Sequence, residues 1–203
     1  MKNKIIAFVL FTIFILLGVL IKLDLLVTID NLMYKIITIR MNDYITYFYK
    51  FITFLGSTEF IIFLCVFFLI LFMILKKKNI AVIIPSILLI STIFNTVIKL
   101  IFGRSRPEKV LKLVLEDTYS FPSGHTMAAV SMYGILLYIV LKSNINKKLK
   151  IVLSCILGIL PILVAISRVY LGAHYITDVI GAIILATGIL LIEIYVIDKN
   201  KWI

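Results

Sequence analysis

The sequence contains two histidines, and each stands among residues suited to phosphate chemistry. His174 lies in Ser167-Arg168-Val-Tyr-Leu-Gly-Ala-His174-Tyr-Ile-Thr-Asp178. Residues four apart share a helix face, so the Asp178 carboxylate can reach one imidazole nitrogen. A carboxylate that fixes the tautomer leaves the other ring nitrogen as a nucleophile or base. Standing alone, the same pair would serve to stabilise a helix start. His125 follows Phe121-Pro122-Ser123-Gly124. Pro and Ser mark a helix start, and Gly lets backbone approach a ligand, so free amides of Ser123 and Gly124 can cradle a phosphate that His125 also faces. The alternative is a string that only caps a helix.

Three cations complete the set: Lys99, Arg106 and Arg168. Lys99 and Arg106 are seven positions apart in Lys99-Leu-Ile-Phe-Gly-Arg-Ser-Arg106-Pro107. A lone lysine at a span's end would snorkel to the interface, but an arginine one short, turn-rich stretch away points to two cations converging on an anion. Phosphoryl transfer is mainly positioning and charge stabilisation, and cations with helix amides can supply what metal ions supply elsewhere. No metal and no cofactor is therefore expected. The acids Glu108, Glu116 and Asp117 lack ligand-like spacing and read as solvated. Cys65 and Cys155 lie inside apolar runs and read as packing residues. Arg104 and Ser105 either help position the ligand or form a basic loop near anionic headgroups. Asn95, one turn before Lys99, either orients that lysine or bonds to a neighbouring helix. Tyr170 and Tyr175 read as interfacial anchors.

Such residues need a scaffold, and the composition names it. Of 203 residues, 63% are hydrophobic and 15% charged, against about 45–50% apolar usage in soluble domains. Apolar runs of spanning length predict an all-α bundle of six transmembrane helices at roughly 5–23, 59–75, 80–101, 124–141, 150–170 and 177–197. Pro85 and Pro161 fall inside two of these and predict kinks. The basic start and apolar run at Ile5–Ile21 lack a small-residue cleavage site and read as a retained first span. Residues 44–55 repeat aromatic and aliphatic side chains at helical spacing, which predicts an amphipathic helix at the outer interface. Residues 1–203 form one membrane domain on this reading.

The net charge of +11 raises nucleic acid as a partner, but the lysines sit in short segments between apolar runs, where they set topology. No nucleic acid partner is expected. An even number of spans places both termini with the lysine clusters on the cytoplasmic side. Residues 24–58, 102–123 and 168–176 then fall on the opposite face, and they carry all the chemistry.

In this order, Lys-x6-Arg-Pro, Pro-Ser-Gly-His and Ser-Arg-x5-His-x3-Asp resemble the three signature motifs of the type 2 phosphatidic acid phosphatase (PAP2) superfamily. The resemblance runs from Phe54-Leu-Gly-Ser57 through the sixth span, with Ile176 where many relatives place proline. Among bacterial members the chain is similar to small six-span enzymes that dephosphorylate undecaprenyl pyrophosphate or phosphatidylglycerophosphate. The resemblance implies a PAP2/haloperoxidase-like core and a lipid substrate held in the bilayer, with undecaprenyl pyrophosphate the first expectation. It also implies roles. His174 forms a phosphohistidine, Asp178 orients it, and His125 protonates the leaving group and then activates water. Lys99, Arg106, Ser123, Gly124 and Arg168 hold the phosphoryl oxygens. Those roles need His174 neutral and His125 protonated at the outset, which predicts a bell-shaped rate profile. Competing readings are a lipid or phosphate transporter, whose site would sit near the midplane, and vanadate-dependent oxidation, which the membrane setting disfavours.

Overall fold

In the computed structural model, which describes residues 2–107 and 118–202, every regular element is helical. The helices are α1 (Lys2–Lys22), α2 (Val27–Thr38), α3 (Asp43–Phe54), α4 (Thr58–Ile74), α5 (Lys78–Phe102), α6 (Gly124–Lys142), α7 (Lys147–Tyr170) and α8 (Ile176–Asn200). Five of them are long and apolar enough to span a membrane alone. A sixth candidate span is α4 taken together with α3; the 17 residues of α4 reach about 26 Å at 1.5 Å per residue. The two helices meet at a 45° bend. The protein is a multi-pass membrane protein of the expected all-α class. Both Pro85 and Pro161 lie inside continuous helices. Glu108, Glu116 and Asp117 lie outside the described residues.

The core gathers on α6, which buries ten side chains and packs against α5, α7 and α8. α1 lies along α8, and α4 along α5. Close approach is needed where α8 meets the irregular segment before α6: a Cβ on Gly181 would run into the Phe121 ring, which is itself fully buried and stacked on Phe14.

The amphipathic segment forms α3, with Asn42 capping its first turn by accepting from the Ile45 amide at 2.9 Å. Its aromatic face, Tyr44, Tyr47, Phe48, Phe51 and Phe54, is exposed, while Ile52 turns inward. α2 was not expected from the sequence. It buries one residue, Asp30, and leaves Val27, Ile29, Leu32 and Ile36 exposed. A helix whose inward face is a carboxylate escapes a search for apolar stripes.

Candidate active site

Helix ends build the site. Gly103, in the left-handed conformation at φ 57°, ends α5, its amide donating to the Lys99 carbonyl. The loop that follows brings Arg104 and Arg106 beside the segment 118–123, to which it is tied by the Ser120 amide donating to the Arg104 carbonyl at 2.8 Å. The α7–α8 turn supplies His174, and Asp178 sits in the first turn of α8. The Asn95 side chain donates to the Pro122 carbonyl at 3.1 Å and so holds the entry to α6.

His174 is 2% exposed. Its Nδ1 lies 3.5 Å from Asp178 Oδ2 and 3.4 Å from Ser120 Oγ. On the other side, Arg106 Nη1 lies 3.3 Å from Nε2. A guanidinium only donates, so Nε2 must accept, and the single proton of the neutral ring resides on Nδ1. Burial, with opposing help from Asp178 and further depression by Arg168 and Arg106, lowers the His174 pKa to about 4. The ring is neutral at physiological pH with its Nε2 lone pair directed away from Asp178. That is the form a nucleophile needs.

Asp178 is fully buried and saturated with donors. Oδ2 accepts from Ser120 Oγ at 2.5 Å and from the Tyr175 amide at 2.9 Å, and Oδ1 accepts from Arg104 Nη1 at 2.5 Å. Ser120 therefore stands between the motif residues as a closer partner of the carboxylate than His174 itself. Nothing in its sequence setting marks it.

Lys99 and Arg106 meet over Thr118 and Tyr119. Lys99 Nζ donates to the Tyr119 carbonyl and, at 3.2 Å, to Thr118 Oγ1. Arg106 donates through Nε to the Thr118 carbonyl at 2.6 Å, through Nη1 to the Ala173 carbonyl at 2.9 Å and through Nη2 to Thr118 Oγ1 at 3.0 Å. Lys99, Arg106, Gly124, His125 and His174 all line one cavity of about 930 Å³. The cavity continues along α5 past Asn95, Thr96, Thr92 and Leu88, opposite Ile61 and Ile62 of α4. A charged head and an arm walled by both polar and aliphatic side chains share one space.

Two expected phosphate ligands stand behind that wall. Ser123 is fully buried, and its amide donates to the Asp178 carbonyl at 3.2 Å, so it is not the free amide expected from the sequence. Gly124 does line the cavity, at the start of α6, where first-turn amides lack intrahelical acceptors. Arg168 is fully buried, does not line the cavity, and donates through Nη1 to Thr53 Oγ1 of α3 at 2.8 Å. Its charge still reaches His174. Tyr170 is not an interfacial anchor: it is 1% exposed, its hydroxyl lies 3.0 Å from Thr46 Oγ1, and its ring packs 4.4 Å from Tyr49. It pins α3 to α7.

Arg104 is more than a loop cation. Its guanidinium sits 4.2 Å over the Tyr175 ring and pairs with both Asp178 and, at 2.7 Å, Asp30. Burial opposes its charge, but the two carboxylates outweigh burial and raise its pKa. Among the described residues, no group of three or more His, Cys, Asp or Glu is placed to hold a metal ion.

Comparison with known proteins agrees with this architecture. The solved transmembrane PAP2 type phosphatidylglycerolphosphate phosphatase from Bacillus subtilis superposes with a TM-score of 0.88 at 28% identity, covering 98% of each chain. Aquifex aeolicus LpxE shares the fold, with a TM-score of 0.64 at 21% identity over 80% of this chain and 93% of that one. In sequence, the chain is 42% identical to phosphatidylglycerophosphatase B of Bacillus subtilis (strain 168) over 90 residues, 44% of each protein. It is 34% identical to lipid phosphate phosphatase delta of Arabidopsis thaliana over 88 residues, 41% of this chain and 20% of that protein. These matches span less than half the length of either curated relative. The PAP2 superfamily pattern matches residues 80–202, which hold α6, α7, α8, nearly all of α5 and every motif residue named above, and the chain belongs to that superfamily.

Proposed function

We propose that this chain is a metal-independent lipid phosphatase that works through a phosphohistidine on His174. The observation that carries the reading is a buried His174 with Nδ1 toward Asp178 and Ser120 and Nε2 toward Arg106, in a cavity that also presents His125, Lys99 and Arg106. In the first step the Nε2 lone pair forms a bond to phosphorus while the bond to the leaving oxygen breaks, and that oxygen takes a proton from His125. In the second, His125 accepts a proton from water as the water oxygen bonds to phosphorus. The N–P bond then breaks and returns its pair to Nε2. The Nδ1 proton stays with Asp178 and Ser120 throughout. Lys99, Arg106 and the Gly124 amide hold the phosphoryl oxygens, while Arg168 adds its charge from behind the wall. Ser123 serves the site through its backbone bond to Asp178.

The arm between α4 and α5, with Ile61, Ile62 and Leu88 in its wall, supports a substrate whose tail stays in the bilayer while its phosphate enters from the side. The Bacillus relatives' named activity favours phosphatidylglycerophosphate, and undecaprenyl pyrophosphate carries the same reactive group on a longer tail. Site residues cluster at the ends of α5, α6, α7 and α8 rather than midway along them, which favours surface chemistry over transport. The lysines at 76–78, 142–150 and 199–201 cap the other ends, supporting cytoplasmic termini and an extracytoplasmic site in one domain of residues 1–203.

The deciding assay presents phosphatidylglycerophosphate, phosphatidic acid and undecaprenyl pyrophosphate to purified protein with a chelator present. Wild type is expected to release phosphate, and His174→Ala to release none. Turnover lost on chelation, or retained by His174→Ala, would end the proposal.

A further inference from the structure

Asp30 is a carboxylate 1% exposed on a helix with no other buried residue. Burying a charge is costly unless it is paired and hydrogen-bonded, and this one is. It accepts from the Thr177 amide at 3.1 Å, from the Thr177 hydroxyl at 2.9 Å, and from Arg104 Nη2 at 2.7 Å. The other arm of the same guanidinium, Nη1, donates to Thr177 Oγ1 at 2.8 Å and to Asp178 Oδ1 at 2.5 Å. One rigid planar cation thus joins two carboxylates that are 148 positions apart in the chain.

The geometry points to Asp30 and Arg104 as positioning residues for the His174–Asp178 pair, an inference that rests on the phosphohistidine reading above. The terminal torsion of a carboxylate is soft and settles wherever its partners hold it. Asp178 must turn Oδ2 toward Ser120 and the Nδ1 face of His174, and the hold of Arg104 on Oδ1 determines that plane. Arg104 is in turn fixed by Asp30, because its two amino groups are spent on opposite carboxylates in the fork geometry that only guanidinium offers. Thr177 locks both ends of the arrangement to the first turn of α8. α2 therefore bears on chemistry that it does not touch.

A misplacement of about 1 Å in a reacting group can cost on the order of 100-fold in rate. Asp30→Asn and Arg104→Lys are therefore each expected to lower kcat about 100-fold with KM within about threefold of wild type. The first keeps an oxygen for Thr177 but loses the charge that holds Arg104, and the second keeps the charge but cannot bridge two carboxylates. The double variant should be no worse than the worse single one, because both act through one chain of contacts. Single-turnover phosphoenzyme formation should slow by the same factor, and guanidinium added at millimolar concentration should partly restore Arg104→Ala. Folding of each variant is checked by its thermal midpoint, and the guanidinium rescue keeps the test open if Asp30→Asn does not fold. Unchanged kcat in folded variants would reduce Asp30 to an anchor of α2 and overturn the inference while leaving the phosphohistidine intact. A raised KM with kcat preserved would overturn it too, by making Arg104 a substrate ligand. A wild-type protein that forms no phosphoenzyme would take down the parent reading and this inference together.

Discussion

Because its pKa lies near 4, His174 is expected to remain a competent nucleophile well into acid. At pH 5 a ring with that pKa is about 9% protonated, whereas an ordinary imidazole of pKa about 6.5 is about 97% protonated. The neutral fraction differs about 30-fold, which is large enough to read directly. The assay is single-turnover phosphoenzyme formation from pH 4 to 8, followed by an alkaline quench, which preserves the N–P bond, and counting of protein-bound phosphate. The rate should hold down to about pH 5 and halve near pH 4. Arg168→Gln supplies the control, since removing a charge that depresses His174 must move its pKa, and with it the acid limb, to higher pH. Substrate ionisation is common to both proteins, so the displacement between their curves isolates the imidazole. The same shift bears on stability. An unfolded chain binds this proton near pH 6.5 and the folded chain only near pH 4, so the unfolded state holds more protons in between. The contribution is fully present above pH 6.5 and falls as pH drops toward 4, by up to about 3 kcal/mol. Half-loss of the wild-type rate near pH 6.5, or curves for wild type and Arg168→Gln that coincide, would refute the assignment of burial and cations as the cause.

Two further outcomes are expected. His125→Ala should still form phosphoenzyme from a substrate with a good leaving group such as p-nitrophenyl phosphate, yet hydrolyse it at least about 100-fold more slowly; trapped phosphoenzyme by mass spectrometry checks this, and none would remove His125 from the second step. Ile62→Trp, on the exposed side of the cavity, should raise KM for a long-chain lipid phosphate while leaving a water-soluble phosphate ester unaffected, and equal effects on both would place the tail elsewhere.

Five of the six expected spans were legible as single helices because hydrocarbon imposes a length and a composition that few other structures mimic, while the sixth is met only by the bent pair α3 and α4. The predicted spans at 80–101 and 124–141 fall within α5, Lys78–Phe102, and α6, Gly124–Lys142. α3 was legible for a related reason, its aromatic residues recurring at helical spacing. The motif residues could be named because Lys99, Arg106, His125 and His174 are polar groups at places where polarity is costly. That they face one cavity was a matter for the fold.

What local pattern could not carry was long-range pairing. Asp30 and Ser120 carry no mark of function in their surroundings, yet one holds Arg104 and the other lies closer to Asp178 than His174 does. The Ser123 amide looked free because its acceptor, the Asp178 carbonyl, comes from another helix. Tyr170 looked interfacial because its partners, Thr46 and Tyr49, lie over a hundred positions away. Span length, charge asymmetry and the kinds of chemistry available follow from side-chain transfer energies, which act residue by residue and so are written along the chain. The tautomer of His174, its lowered pKa and the choice of which cations face the cavity depend on distances between segments, and those exist only once the helices have packed.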